Sequence, residues 1–261
     1  MIRKSLFFSA LALCFLSCSK EDAVKQPIAD FTVAVSGQAP TATLTIVNKS
    51  TDASTYAWTF GTGASTLTST DKEPSGVKVD KTGDITITLV ANNGTVTNTK
   101  TVTVNVTGKN ALTSYSDLEF ALNAGNTTYG RLFSFETGKM YKDNEITTAI
   151  GSKIHLAFGS MSGTMFYFDS PTKTDYKVTG ATVTKVSNWP SPSPISVSDF
   201  DAMTDDTKLT DLTITDTNDS FGKTNIPGVV LFQLASGRKG VIKTKAVNDV
   251  RILVDIKIQK Y

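Results

Sequence analysis

After residue 18 the sequence has no cysteine, and in 261 residues it has a single histidine, His155. The first absence excludes disulfides from whatever folds downstream, so core packing alone must hold it together. The second makes transition-metal sites built on imidazole or thiolate improbable. No apolar run reaches the ~20 residues a membrane-spanning helix needs. Net charge is scarce too. The formal value is +2, and Arg3 and Lys4 account for it, leaving 24 basic against 24 acidic residues after position 17. A neutral chain lacks the clustered Lys and Arg that nucleic-acid binding depends on, so no nucleic-acid partner is expected. Proline is sparse, with eight in all, yet three of them fall at Pro190, Pro192 and Pro194.

What is present begins with a leader. Arg3 and Lys4 precede the apolar run Leu6–Leu16. A basic start and a short apolar stretch make a secretory signal, expected over residues 1–17. The run ends in Phe15-Leu16-Ser17-Cys18, which resembles a bacterial lipobox, with Phe15 where the pattern usually has Leu. The resemblance implies lipidation of Cys18 and a membrane partner reached through that lipid anchor. The alternative is an ordinary signal peptide cut nearby, with Cys18 left as a thiol. Ser19-Lys20-Glu21-Asp22 is similar to the export signal of Bacteroidota lipoproteins. That similarity implies the outer membrane and the cell exterior. Residues 18–27 are then anchor and linker.

Threonine is abundant and alternates with Val, Ile and Leu. β-branched side chains suit a pleated, half-buried surface, so the fold class expected is all-β. Over residues 28–107 the period-two stretches are Ala29–Val35, Thr41–Val47, Thr55–Phe60, Asp84–Ala91 and Thr95–Val106. Gly83-Asp84 and Asn92-Asn93-Gly94 supply turns. The segment resembles a PKD domain, an immunoglobulin-like β-sandwich. Ala29-Asp30-Phe31, Val47-Asn48-Lys49-Ser50-Thr51 and Tyr56-Ala57-Trp58-Thr59-Phe60-Gly61-Thr62-Gly63 carry the resemblance. Thr59 and Thr62 replace the two acids of the usual motif, so no metal is expected there. Trp58 is expected in the core. Such domains imply spacing or binding, and no chemistry.

Thr107-Gly108-Lys109-Asn110 reads as a hinge, polar and Gly-containing. A second β-rich domain is expected over 111–261, a sandwich or open barrel with two short helices. One helix is expected over 116–123, from the capping-box pair Ser116 and Glu119 and the spacing of Leu118 and Leu122. The other runs from Ser198 to about Met203. Strands are expected at Arg131–Phe135, Lys139–Tyr141, Lys153–Phe158, Thr164–Phe168, Ala181–Val186, Val229–Leu234, Gly240–Val247 and Arg251–Ile258. Leu132-Phe133-Ser134-Phe135-Glu136-Thr137-Gly138-Lys139 echoes Leu231-Phe232-Gln233-Leu234-Ala235-Ser236-Gly237-Arg238. The echo predicts two similar hairpins facing across one core, with Gly138 and Gly237 in the left-handed turn position. This half resembles a C-terminal β domain of Bacteroidota surface lipoproteins. Tyr129-Gly130-Arg131-Leu132-Phe133-Ser134, Tyr167-Phe168-Asp169-Ser170-Pro171 and Gly237-Arg238-Lys239-Gly240 carry that likeness, which implies context and no mechanism.

Catalytic residues are not expected, nor any cofactor. His155 sits between Ile154 and Leu156 and reads as a plain strand residue. Asp216–Gly222 has the acidic start of a calcium loop. Its glycine falls one place late and Pro227 stands where the closing glutamate would be, so the default is a solvated loop, with calcium stabilisation the alternative. Ligand binding is expected at aromatic residues backed by polar groups. Trp189 in the Pro-rich loop, Tyr129 and Tyr167 are the candidates, with Tyr141 a lesser one and Arg131 as a hydrogen-bond donor. For each, packing is the competing reading. The expected function is a non-enzymatic surface lipoprotein that binds a polysaccharide or a surface protein. The alternatives are a structural accessory subunit of an outer-membrane complex and, last, a glycan hydrolase.

Overall fold

The structure is a computed structural model and describes residues 25–161 and 163–261. The leader, Cys18 and Ser19–Asp22 lie outside the described residues. The described chain is all-β: antiparallel sheets stacked in pairs, with three short helices.

The first pair of sheets spans residues 31–106. Strands β1 (Phe31–Ser36), β2 (Ala42–Asn48) and β5 (Val77–Val79) form one sheet, in the order β1-β2-β5. Strands β3 (Thr55–Phe60), β4 (Thr68–Ser69), β6 (Gly83–Asn92) and β7 (Thr97–Val106) form the other, ordered β4-β3-β6-β7. The alternation in the sequence is the cause. Along β6, Ile85, Ile87, Leu89 and Ala91 point inward and are buried. Between them Thr86 and Thr88 face out and pair across to Thr103 and Thr101, at 3.2 and 3.1 Å. A period of two puts each set on one face. β4 is too short to show alternation and only pairing to β3 defines it, whereas β5 pairs to β2 and buries Val77 and Val79 around an exposed Lys78.

Trp58 is the centre of this core, 1% exposed. Phe31 meets it edge-on at 5.0 Å, and its indole N–H donates to the Asp71 carbonyl at 2.9 Å. A buried Trp needs such a partner, and here it has one.

The second pair holds ten strands. These are β8 (Leu112–Ala121), β9 (Leu132–Ser134), β10 (Lys139–Tyr141), β11 (Leu156–Met161), β12 (Met165–Asp169), β13 (Thr184–Ser187), β14 (Phe221–Gly222), β15 (Val229–Leu234), β16 (Lys239–Val247) and β17 (Arg251–Gln259). Their orders are β10-β9-β11-β12-β14 and β13-β15-β16-β17-β8. Between the sheets lies a phenylalanine-rich core of Phe120, Phe133, Phe135, Phe158, Phe166, Phe168, Phe221 and Phe232. The two echoed segments are the hairpins β9–β10 and β15–β16, one in each sheet. They face each other through Phe135 and Phe232, stacked at 5.1 Å. Gly138 and Gly237 have φ of 66° and 92°, as the turn chemistry requires.

Helices α1 (Thr148–Gly151), α2 (Val197–Ala202) and α3 (Thr207–Thr210) lie in the connections. α2 is the helix expected from Ser198, capped slightly earlier. The Ser196 hydroxyl accepts from the Asp199 N–H, and the Asp199 carboxylate answers the Ser196 N–H. Phe200, Met203 and Leu209 close a smaller core over the outer face of β15 and β16.

Residues 116–123 are not a helix. They run through β8 and out of its end. A cap stabilises by about 1 kcal/mol. Against that, β8 pairs with β17 from Leu112↔Gln259 to Ala121↔Arg251 and buries Phe120 completely. The signal at Ser116 marks a bulge instead. Asp117 has φ of 55°, the register shifts there, and its N–H donates to the Asp255 carboxylate at 2.9 Å.

The 107–110 segment is strapped rather than free. Ala39 N–H donates to Thr107 O, and Lys109 N–H to Ala39 O. The Asn110 side-chain oxygen accepts from both the N–H and the hydroxyl of Thr82. On its other side the Asn110 N–H and side-chain amide donate to the two oxygens of Asp206, each at 3.0 Å. Asp80 accepts from Lys260 and from the Tyr261 hydroxyl, both at 2.5 Å. Composition signalled a hinge. In the structure, side chains far apart in sequence bond to it.

Candidate functional site

The four ligand-binding candidates do not gather at one place. Trp189 is 37% exposed and lines an apolar groove of 240 Å³ with Ile195, Val197, Pro227 and Val229. Tyr129 lines another depression, beside Leu118 and Lys142. Its ring lies under the Arg251 guanidinium at 5.0 Å, and its hydroxyl accepts from Arg251 at 3.1 Å. Arg131 is 8% exposed. It pairs with Asp143 at 2.8 Å and stacks on Tyr176 at 4.7 Å. One face of the guanidinium lies on Tyr176 and its edge is held by Asp143 and the Asp175 carbonyl, so it serves packing and not an open site. Tyr141 likewise packs beside Leu132 and shares a hydrogen bond with Thr137.

Tyr167 opens on a surface cleft of about 330 Å³. One wall is β12 and the turn after it, with Tyr167, Asp169, Lys173 and Asp175. The other is the loop Thr217–Ser220. The alternation of β12 makes the first wall. Phe166 and Phe168 point into the core, which leaves Tyr167 and Asp169 on the outer face. Gly159 sits opposite Tyr167 on β11, and a Cβ there would meet the Tyr176 hydroxyl at 2.3 Å. A small residue at 159 therefore lets the two tyrosines settle against the sheet. Asn188 closes the floor. Its amide pairs with both backbone groups of Phe168, accepting at 2.7 Å and donating at 2.8 Å.

The electrostatics of the cleft are acidic. The Tyr167 hydroxyl donates to Asp175 at 2.9 Å. Burial, and then this hydrogen bond, push its pKa up to about 12, so it stays a donor at neutral pH. Burial also raises the pKa of Asp169, opposed by the Ser170 N–H at 2.7 Å and by Lys173. Lys173 lies 3.3 Å from Asp216 and 4.0 Å from Asp169. Arg131 Nη2 donates to the Asp175 backbone carbonyl at 3.4 Å, and among the described residues neither the Asp175 nor the Asp219 carboxylate forms an ion pair. The Thr217 hydroxyl is buried in the wall without a hydrogen-bond partner among the described residues.

Asp216, which opens the calcium-like stretch, is fully engaged. One oxygen accepts from the Val186 N–H at 2.9 Å and the other faces Lys173. Phe221 and Gly222 are strand residues paired to β12, so the stretch does not continue as a loop past Ser220. Among the described residues no three His, Cys, Asp or Glu side chains converge as a metal site would require. His155 accepts the Phe135 N–H through Nδ1 at 3.2 Å, and burial lowers its pKa. It is a neutral structural group.

The sequence pattern marks Tyr167 but not Asp169, Asp175 or the Thr217–Ser220 wall. The acids at 216 and 219 are visible as a run. Nothing local shows that they face β12.

Fold and cleft together define an all-β protein built of paired antiparallel sheets, with a polar surface cleft on the second pair. No family model matches the chain. No curated protein matches it either. Among solved structures, it is similar to a DUF4466 family protein from Parabacteroides merdae, at 14% identity and a TM-score of 0.41. That similarity covers 91% of this chain and 100% of the other.

Proposed function

We propose that this chain is a non-enzymatic surface lipoprotein whose second domain holds a glycan in the Tyr167 cleft. Cys18 carries the lipid in this reading, the leader and Lys20-Glu21-Asp22 direct it to the outer face of the outer membrane, and the PKD-like first domain spaces the second from the membrane. The cleft supports it most directly. An aromatic ring stands beside several uncommitted hydroxyl, amide and carboxylate groups, at a size that suits a small number of sugar rings. Sugar hydroxyls need such acceptors, and the aromatic face takes the apolar side of the ring.

A glycan array probed with the full-length chain in detergent tests the reading. Binding to a defined glycan set, lost in Tyr167→Ala, is expected. An empty array with folded protein refutes it, and capture of a protein ligand instead would favour the accessory-subunit alternative. Incubation with the bound glycan should release no new reducing ends. Palmitate labelling of whole cells should mark the parent chain and leave Cys18→Ala unlabelled. A labelled Cys18→Ala chain would remove the anchor from the proposal.

A further inference from the structure

The single histidine of the chain stands directly before β11, and its ring reaches to the end of β9. β9 stops at Ser134, and the next N–H, that of Phe135, finds its acceptor in His155 Nδ1 at 3.2 Å. The His155 backbone is held on both sides. Its N–H donates to the Phe133 carbonyl at 2.9 Å, and its carbonyl accepts from the Thr184 hydroxyl at 2.5 Å. Phe135 is a joint of the second core, 6% exposed. Its ring stacks on Phe232 of the opposite sheet at 5.1 Å and meets Phe133 edge-on at 5.0 Å. The hairpin it belongs to is lightly attached. β10 is the edge strand, and β9 pairs to β11 through Phe133↔Leu156 and Leu132↔Ala157. Only a neutral ring can accept at Nδ1, because an imidazolium carries a donor on both nitrogens. Protonation would set two donors face to face and leave the N–H of a buried residue unpaired, which costs free energy that opening recovers.

We propose that His155 is an acid-sensitive latch: protonation at Nδ1 releases the Phe135 N–H and loosens the β9–β10 hairpin from the second core, while the first sandwich stays closed. The charged and titratable groups around the ring come from three elements. The β9–β10 turn brings Glu136, itself held by Lys153 at 2.8 Å. The β15–β16 turn brings Arg238, and β8 brings the Tyr115 phenol, which donates to the Phe135 carbonyl at 3.0 Å. β13 brings a neutral group, the Thr184 hydroxyl. Burial is the largest influence on the ring and favours its neutral form. Glu136 opposes that and Arg238 supports it. The neutral ring belongs to the closed hairpin. Its contribution is therefore fully present above the ordinary 6.5 and lost as pH falls through the lowered folded value.

The test is hydrogen–deuterium exchange of the full-length chain in detergent at about pH 7.5 and about pH 5.5, corrected for the intrinsic pH dependence of amide exchange. Protection over the hairpin from Phe133 to Tyr141 should fall several-fold, with about tenfold the ceiling for one proton taken up over that interval. Protection of Ile85–Leu89 in the first sandwich should stay the same. His155→Asn puts Oδ1 where Nδ1 lies and does not titrate, so its hairpin protection should be equal at both pH values. The parent also reports without a variant. With one histidine in the chain its imidazole resonances need no assignment, and their titration midpoint should fall below 6.5. A midpoint at or above 6.5 overturns the latch. So does hairpin protection unmoved by pH in the parent, an equal loss in the first sandwich, or a His155→Asn chain as pH-sensitive as the parent. None of these outcomes depends on what the Tyr167 cleft binds.

Discussion

Asp206 is 3% exposed and sits where the two halves of the chain meet. One oxygen accepts from the Asn110 N–H at 3.0 Å. The other accepts from the Asn110 amide at 3.0 Å and from Gln259 at 3.3 Å. Asn110 in turn holds Thr82 of the first sandwich. Replacing Asp206 by Ala strands three donors in a buried place. Hydrogen bonds to a charged group contribute ~1.5–3 kcal/mol each, and water entering the gap recovers part of that. The expected loss is ~3–4 kcal/mol. Asp206→Asn keeps the shape but turns one acceptor into a donor facing a donor, with an expected loss of ~1–2 kcal/mol. Urea unfolding measures both. In a Trp189→Phe background, Trp58 emission reports the first sandwich alone, because the chain has only two tryptophans. Far-UV dichroism reports both halves. In the parent the two curves should coincide, and in Asp206→Ala they should separate as the halves unfold independently. A change below ~0.5 kcal/mol, with curves still coincident, would refute the strap and restore the hinge.

Gly240→Ala should lose ~2–3 kcal/mol by thermal melting, since its Cβ would meet the Phe232 ring at 2.2 Å inside a filled core; a melting point within about 1 °C of the parent would show that the ring can move away. Trp58→Ala should lose ~3–5 kcal/mol from cavity formation and the freed Asp71 carbonyl, and near-parental stability would contradict its central place. Asp169 has a folded pKa raised by burial, so the native state holds its proton more tightly than the unfolded chain does. Its contribution is therefore fully present below the ordinary aspartate value of 3.8 and lost as pH rises through the raised value. Asp169→Asn should gain on the parent as pH climbs from about 3 to 7. A constant difference across that range would show that burial does not set its titration.

Much of the fold was legible because alternation is a local property. Ile85-Thr86-Ile87-Thr88-Leu89 writes its own inward and outward faces, and β6 follows. Gly138 and Gly237 announced their turns, and the echo of 132–139 in 231–238 announced two hairpins across one core. The helix expected over 116–123 shows the limit. A capping pattern is short-range, and pairing with β17, more than a hundred residues later, outweighs it. The straps on the expected hinge were hidden for the same reason, since Thr82 and Asp206 reach Asn110 from distant sequence. The candidate site divides along this line. The sequence alone determined the all-β class and the buried role of Trp58, because each depends on neighbours two to four residues away. Tertiary structure decided that Arg131 is packed against Tyr176, that Trp189 and Tyr129 stand in separate depressions, and that Asp169, Asp175 and Asp219 share one cleft. Those outcomes depend on which loop folds over which sheet, and no periodicity in the chain encodes that.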